Sequence, residues 1–154
     1  MDIWKCYDIT HRNHLFCNPL NAEKSDGIIN LLQLPPNAHV LDLATGKGEF
    51  LVRLIERYGA TAVAVDISPH CIRDFAQKQS QRIPKANVQL LEMDGADYQP
   101  GPGEHFDLVA CLGASWIFGG YQGTLVALQK MAKPGGLILV GEPYWKPRPC
   151  PRLS

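Results

Sequence analysis

Carboxylates and small residues carry most of the chemical information in this chain. Asp42 lies inside "VLDLATGKGEF" (40–50), Asp66 closes the apolar run "TAVAVDI" (61–67), and Asp94 closes "VQLLEMD" (88–94). A carboxylate 18 residues beyond Gly48, as Asp66 is, can accept hydrogen bonds from both ribose hydroxyls of a nucleoside and repels a 2′-phosphate. The turn from Ala44 through Thr45 and Gly46 to Gly48 is the natural cradle for such a ligand, and its spacing tells possible occupants apart. A triphosphate loop of the form G-x-x-x-x-G-K-[ST] fails at both ends, because Leu41 stands five residues before Gly46 and Gly48 follows Lys47. A dinucleotide fingerprint starting at Gly46 and Gly48 fails at its third glycine, where the chain has Leu51. This disfavours NAD and leaves an NAD-dependent oxidoreductase as a weaker alternative.

Histidines offer a second kind of chemistry. His11 and His14 could take a proton from a hydroxyl or amine, since an unperturbed imidazole titrates near pH ~6.5. With Cys17 they form H-x-x-H-x-x-C, but zinc signatures pair their ligands across a turn and no fourth ligand is apparent, so no metal is expected. Five cysteines, odd in number and without a C-x-x-C pair, argue for free thiols rather than a disulfide framework.

The elements that must position these groups follow from periodicity. Apolar residues at 28, 31, 32 and 34 predict a helix over 21–34, stopped by "PPN" at 35–37. "AHVLDL" (38–43) reads as a buried strand, and Phe50, Leu51, Leu54, Ile55 and Tyr58 give one helical face that ends at Gly59. A second strand over 61–67 leads to Ser68 as N-cap and Pro69 at the first position of a helix running to about residue 81. Strands over 88–94 and 106–112, a helix over 122–131, a "KPGG" turn (133–136) and a fifth strand over 137–143 complete the alternation. The continuous aliphatics of that last strand suggest cover on both faces. Alternating strand and helix means a doubly wound parallel α/β sheet, which binds ligands at the carboxyl ends of its strands.

At 154 residues and 45% hydrophobic content, a single domain is expected. We divide it into an N-terminal segment and helix (1–37), a core (38–143) and a proline-rich tail (144–154). Fifteen basic residues balance fifteen acidic ones with no basic block, which excludes nucleic acid as an expected partner. With no signal-like start and no membrane-length apolar run, a cytoplasmic protein without membrane association is expected.

"LDLATGKGE" resembles motif I of the class I S-adenosylmethionine-dependent methyltransferases, D-x-G-x-G-x-G, with Ala44 in place of the first glycine. The resemblance spans roughly 18–145. "CLGASWIFGGYQG" with "GEPYW" looks like a poorly characterised bacterial branch of small-molecule methyltransferases. It implies a methyltransferase-like sheet with strand order 3-2-1-4-5, S-adenosylmethionine as cofactor and a small-molecule methyl acceptor. It further implies cofactor contacts at Asp42, Ala44, Thr45, Gly46 and Gly48, with Asp66 on the ribose and Ile67 against the adenine face. Asp94 is expected on the adenine amino group, the backbone of Gly95 and Ala96 at the ring nitrogens, and the backbone of Cys111 and Leu112 at the methionine end. The N-terminal segment is expected to fold over the cofactor as a lid, and Trp116, Phe118, Tyr121, Tyr144 and Trp145 are candidates for an aromatic acceptor pocket.

Family members carry a further antiparallel hairpin after the fifth strand, whereas this chain ends in "WKPRPCPRLS". That ending reads as a short or truncated form with an exposed fifth-strand edge, which a homo-oligomer would cover. Two functional classes stay open: an active methyltransferase, or a cofactor-binding remnant or half of a split enzyme.

Overall fold

The computed structural model describes residues 3–143. Five parallel strands, β1 (His39–Leu43), β2 (Thr61–Asp66), β3 (Val88–Glu92), β4 (Phe106–Leu112) and β5 (Ala132–Gly141), form one sheet in the order β3-β2-β1-β4-β5. The order predicted from the resemblance is therefore the observed one. Helices α1 (Ile3–His11), α2 (Ala22–Leu32), α3 (Glu49–Tyr58), α4 (Pro69–Arg82) and α5 (Tyr121–Met131) accompany it.

Alternate residues of each strand feed two separate cores, because successive side chains of a strand point to opposite faces. Val40, Ala62, Ala64 and Leu108 pack with Ile29 of α2, Leu51, Leu54 and Ile55 of α3, and Phe75 of α4. Leu41, Leu43, Val63, Val65, Val109 and Cys111 pack on the other face with Leu128 and Met131 of α5. Both faces of β1 are thus sealed, and this fixes its register against Ala62–Val65 of β2 and Leu108–Ala110 of β4. At the amino end of the sheet, Asp107 accepts from the His39 backbone N–H at 2.7 Å, and the His39 ring stacks on Phe106.

Helix boundaries follow local chemistry. Asn21 caps α2 through the Lys24 N–H, and α2 ends two residues before its predicted stop because Gln33 already adopts φ 48°. Ser68 and Pro69 open α4 as expected, with Ser68 accepting from the Cys71 N–H. Two expectations need correction. The "KPGG" segment is not a turn before the fifth strand but an irregularity inside it, since Phe106 pairs with Ala132 while Leu108 pairs with Leu137. Nor is β5 completely covered, although Leu139 packs against one core and Ile138 and Val140 against the other. It is a sheet edge among the described residues, its aliphatics are only partly buried and Leu137 is 39% exposed. Tyr144, Trp145 and the proline-rich tail lie outside the described residues.

Candidate functional site

The turn after β1 has an unusual backbone. Ala44, Gly46 and Gly48 take φ of 57°, 59° and 70°, three left-handed residues within five. The motif's first position therefore does require positive φ, and alanine occupies it at a steric cost that glycine would avoid. The turn is held by the Thr45 N–H donating to Val65 O at 3.0 Å, the Gly48 N–H to Thr45 O at 3.1 Å, and the Thr45 hydroxyl to Asp42 at 2.7 Å. Gly48 is fixed by packing as well, because a Cβ there would collide with the Phe75 ring of α4.

Behind the turn, Asp66 accepts from two backbone amides, Gly46 at 2.7 Å through Oδ2 and Ser68 at 2.9 Å through Oδ1. Each oxygen keeps a lone pair for a ligand hydroxyl, and the carboxylate is pre-oriented. Burial raises the Asp66 pKa despite those two bonds. Asp42 is more deeply buried. Burial, with Asp66 nearby, pushes its carboxyl up to about 7 against the opposing hydrogen bond from Thr45. Two carboxyls raised in this way favour a ligand that brings positive charge or several hydrogen-bond donors.

These groups face one cavity of about 380 Å³, within the range of small-molecule and cofactor sites. Ten of the twelve predicted residues line it: Asp42, Ala44, Thr45, Gly46, Gly48, Asp66, Ile67, Asp94, Gly95 and Leu112. Ala96 and Cys111 do not. Ala96 is exposed, and its N–H is used by Asp94 Oδ1 at 2.9 Å in the short 3-10 turn Gly95–Asp97. The Cys111 side chain is fully buried in the core beneath the sheet, where burial pushes its thiol up to about 12. The Leu112 carbonyl, whose residue lines the cavity, accepts from Asn18 Nδ2 at 3.1 Å.

That bond points to what sequence reasoning missed, namely the individual side chains of the N-terminal segment. Trp4, Tyr7, Leu15, Phe16, Cys17 and Asn18 form one wall of the cavity. The segment is tied down by Lys47, whose ammonium donates to the carbonyls of His11 at 2.7 Å, Arg12 at 3.2 Å and His14 at 3.5 Å and lies 3.6 Å from Asp74. It thereby caps the last turn of α1 with charge of the favourable sign. A lysine inside a glycine turn was the only available signal, and it reads first as a phosphate ligand. His11 and His14 do not line the cavity; His11 stacks on Tyr7 and His14 packs edge-on against His11. Among the described residues no group of three or more His, Cys, Asp or Glu could hold a metal ion.

Trp116 and Ile117 contribute an apolar rim from the segment after β4, and Trp116 is 72% exposed. Tyr121 begins α5 and does not line the cavity, nor does Phe118, which packs against the core beneath β4. Glu49, just past the turn, is almost fully buried. Burial alone would raise its carboxyl, but ion pairs with Lys78 at 2.8 Å, Arg82 at 2.9 Å and Arg53 at 2.7 Å outweigh that and hold it below the usual range. It locks α3 to α4 beneath the ligand site.

A doubly wound sheet with this strand order and this turn, with three carboxylates around one cavity, is the architecture of a Rossmann-like methyltransferase fold. A family model for the methyltransferase domain matches residues 40–136. The chain belongs to the class I S-adenosylmethionine-dependent methyltransferase family, in a bacterial branch with the Escherichia coli (strain K12) protein YjhP. It is 33% identical to YjhP over 150 residues, 97% of this chain and 60% of that protein. A methyltransferase from Thiobacillus denitrificans, solved with S-adenosyl-L-homocysteine, superposes with a TM-score of 0.91 at 34% identity, over 98% of this chain and 60% of that one. A Geobacter sulfurreducens methyltransferase, also solved with S-adenosyl-L-homocysteine, gives 0.89 at 31% identity, over 96% of this chain and 58% of that one. The chain thus spans about 60% of the length of these relatives. No helix among the described residues is long and apolar enough to cross a membrane.

Proposed function

We propose that the chain binds S-adenosylmethionine in the 380 Å³ cavity and transfers its methyl group to a small-molecule acceptor. The observation that carries this reading is the convergence of Asp42, Asp66 and Asp94, from three different strand ends, on one cavity closed by the left-handed turn. The donor set fits the cofactor. Asp66, held by two amides, has free acceptor capacity for ribose hydroxyls, Asp94 has a free carboxylate oxygen for an amino group, and half-exposed Ile67 offers an apolar face for a base. S-adenosylmethionine supplies, when bound, a sulfonium-activated methyl group.

What the residues of this chain contribute is positioning and dryness. Leu15, Phe16, Leu112, Trp116 and Ile117 give the cavity apolar walls that exclude water around an in-line displacement, where proximity supplies much of the acceleration. The N-terminal segment, pinned by Lys47, acts as the lid. No histidine reaches the cavity from the described residues, so an acceptor that ionises readily suits it best. The half-exposed β5 edge would be covered by a second copy of the chain.

Calorimetric titration tests the cofactor reading: binding of S-adenosylhomocysteine with no response to NAD is expected, and the reverse result overturns it. Methyl transfer from labelled S-adenosylmethionine to a library of small acceptors then tests turnover. Tight cofactor binding with no product from any acceptor would leave a cofactor-binding protein rather than an enzyme.

A further inference from the structure

The Cys17 and Cys71 thiols meet where the N-terminal segment touches the core. Cys17 belongs to the segment that closes the cavity, Cys71 to the first turn of α4, and both line the cavity wall beside Gly46. The two thiols are near enough to influence each other electrostatically, and neither is in a disulfide. Cys17 is half-buried, and its sulfur lies only 3.3 Å from where a Cβ on Gly46 would be. Its surroundings are those of a thiolate. Cys71, the Lys47 backbone N–H and the Tyr7 hydroxyl all favour its charged form, and the Tyr7 hydroxyl donates to the Cys17 carbonyl oxygen at 3.3 Å. The neighbouring Cys71 thiol, opposed by burial and joined by those other groups, brings the Cys17 thiol down to about 6, while the same pairing and burial raise Cys71. The pairing thus favours the thiolate on Cys17 and the protonated thiol on Cys71, and the thiolate is the nucleophilic form.

We propose that Cys17 and Cys71 form a peroxide-sensitive thiol pair that reversibly staples the N-terminal segment to α4 across the mouth of the cavity. The oxidant is a hydroperoxide, with hydrogen peroxide the simplest. The Cys17 thiolate attacks one peroxide oxygen, the O–O bond breaks, and the departing hydroxide takes up a proton to leave as water, giving a Cys17 sulfenic acid. The Cys71 sulfur then displaces the sulfenic oxygen; the S–O bond breaks, the S–S bond forms, and the Cys71 proton leaves with the hydroxide as a second water. Both sulfurs are oxidised by one electron each, and the peroxide is reduced by two. A dithiol reductant reverses the change. Because the bond joins the wall of the cavity to its floor, it fixes the segment in place and alters exchange of whatever the cavity holds. That last consequence rests on the cofactor reading; the chemistry of the pair does not.

The experiment treats the reduced full chain with hydrogen peroxide at pH 7 and maps its peptides by mass spectrometry, after confirming that parent and variants melt alike. A Cys17–Cys71 linked peptide is expected, lighter by two hydrogens than its two parts and lost on treatment with dithiothreitol. In Cys71→Ser the sulfenic acid on Cys17 persists and is trapped by dimedone. In Cys17→Ser the Cys71 thiol stays reduced. If peroxide modifies exposed Cys6 while Cys17 and Cys71 remain reduced, or if Cys17 reacts but never links to Cys71, the proposal is overturned. Repeating the oxidation with S-adenosylhomocysteine present is expected to slow linkage. Linkage in the free protein combined with no calorimetric binding of S-adenosylhomocysteine would sink the cofactor reading alone and leave the thiol pair standing.

Discussion

At the scale of single residues, Ala44 and Asp42 both trade stability for site geometry. An L-residue held at φ 57° costs roughly 1 kcal/mol relative to glycine, so Ala44→Gly is expected to raise stability by about that amount in urea unfolding while leaving S-adenosylhomocysteine affinity intact. Lower stability would show instead that the alanine methyl makes a packing contact worth more than the strain. Asp42 sets a pH dependence whose sign can be worked out. Its folded pKa, near 7, lies above the unfolded value, so between roughly pH 4 and pH 7 the folded state binds more protons and stability falls as pH rises. Asp42→Asn removes that slope. The variant is expected to be more stable than the parent above pH 7 and little different near pH 4, which urea midpoints across the range would show. A parallel pH dependence in both proteins would mean that another group is responsible.

At the scale of elements, the strand-turn-helix unit was legible in the sequence because a buried parallel strand and an amphipathic helix leave different periodicities, and the β1 to α4 span followed them closely. The irregular start of β5 was not legible, since Lys-Pro-Gly-Gly signals a turn whether or not the flanking residues pair with a neighbour. The helix over Ile3–His11, which buries no residue completely, was also missed. Gly48 shows how two elements depend on one residue. It takes φ 70°, caps α3 without a side chain, and leaves room for the Phe75 ring at the centre of one core. Gly48→Ala combines backbone strain with overpacking against an aromatic ring, and a loss of roughly 2–4 kcal/mol is expected. Thermal unfolding would measure it, and a loss below about 1 kcal/mol would mean that α3 and α4 can separate at little cost.

At the scale of the whole molecule, the carboxylates of the site were legible, whereas the side chains of the wall facing them were not: closure by the N-terminal segment was expected only from the family resemblance, long-range contacts leave no local signature, and Asn18 reaches Leu112 across 94 positions of sequence. Lys47 is the group that holds this closure, with three carbonyl acceptors and a nearby carboxylate gathered on one nearly buried ammonium. Lys47→Met keeps much of the side-chain volume and removes every donor. Hydrogen exchange should then quicken across residues 3–18 while the strands stay protected, and S-adenosylhomocysteine should dissociate faster; unchanged exchange in the segment would show that Phe16 packing alone keeps it closed. The opposite flank of the sheet poses the remaining question. β5 is an edge among the described residues, half-covered and with Leu137 39% exposed. Such an edge offers unpaired backbone beside apolar side chains, and a second copy of the chain can satisfy both. Lysine at an edge position opposes that pairing without disturbing the inner strands. Sedimentation velocity should therefore show the parent associating as concentration rises and Leu137→Lys remaining a monomer at the same thermal stability. A parent that stays monomeric throughout would show that the β5 edge is not covered by a second copy.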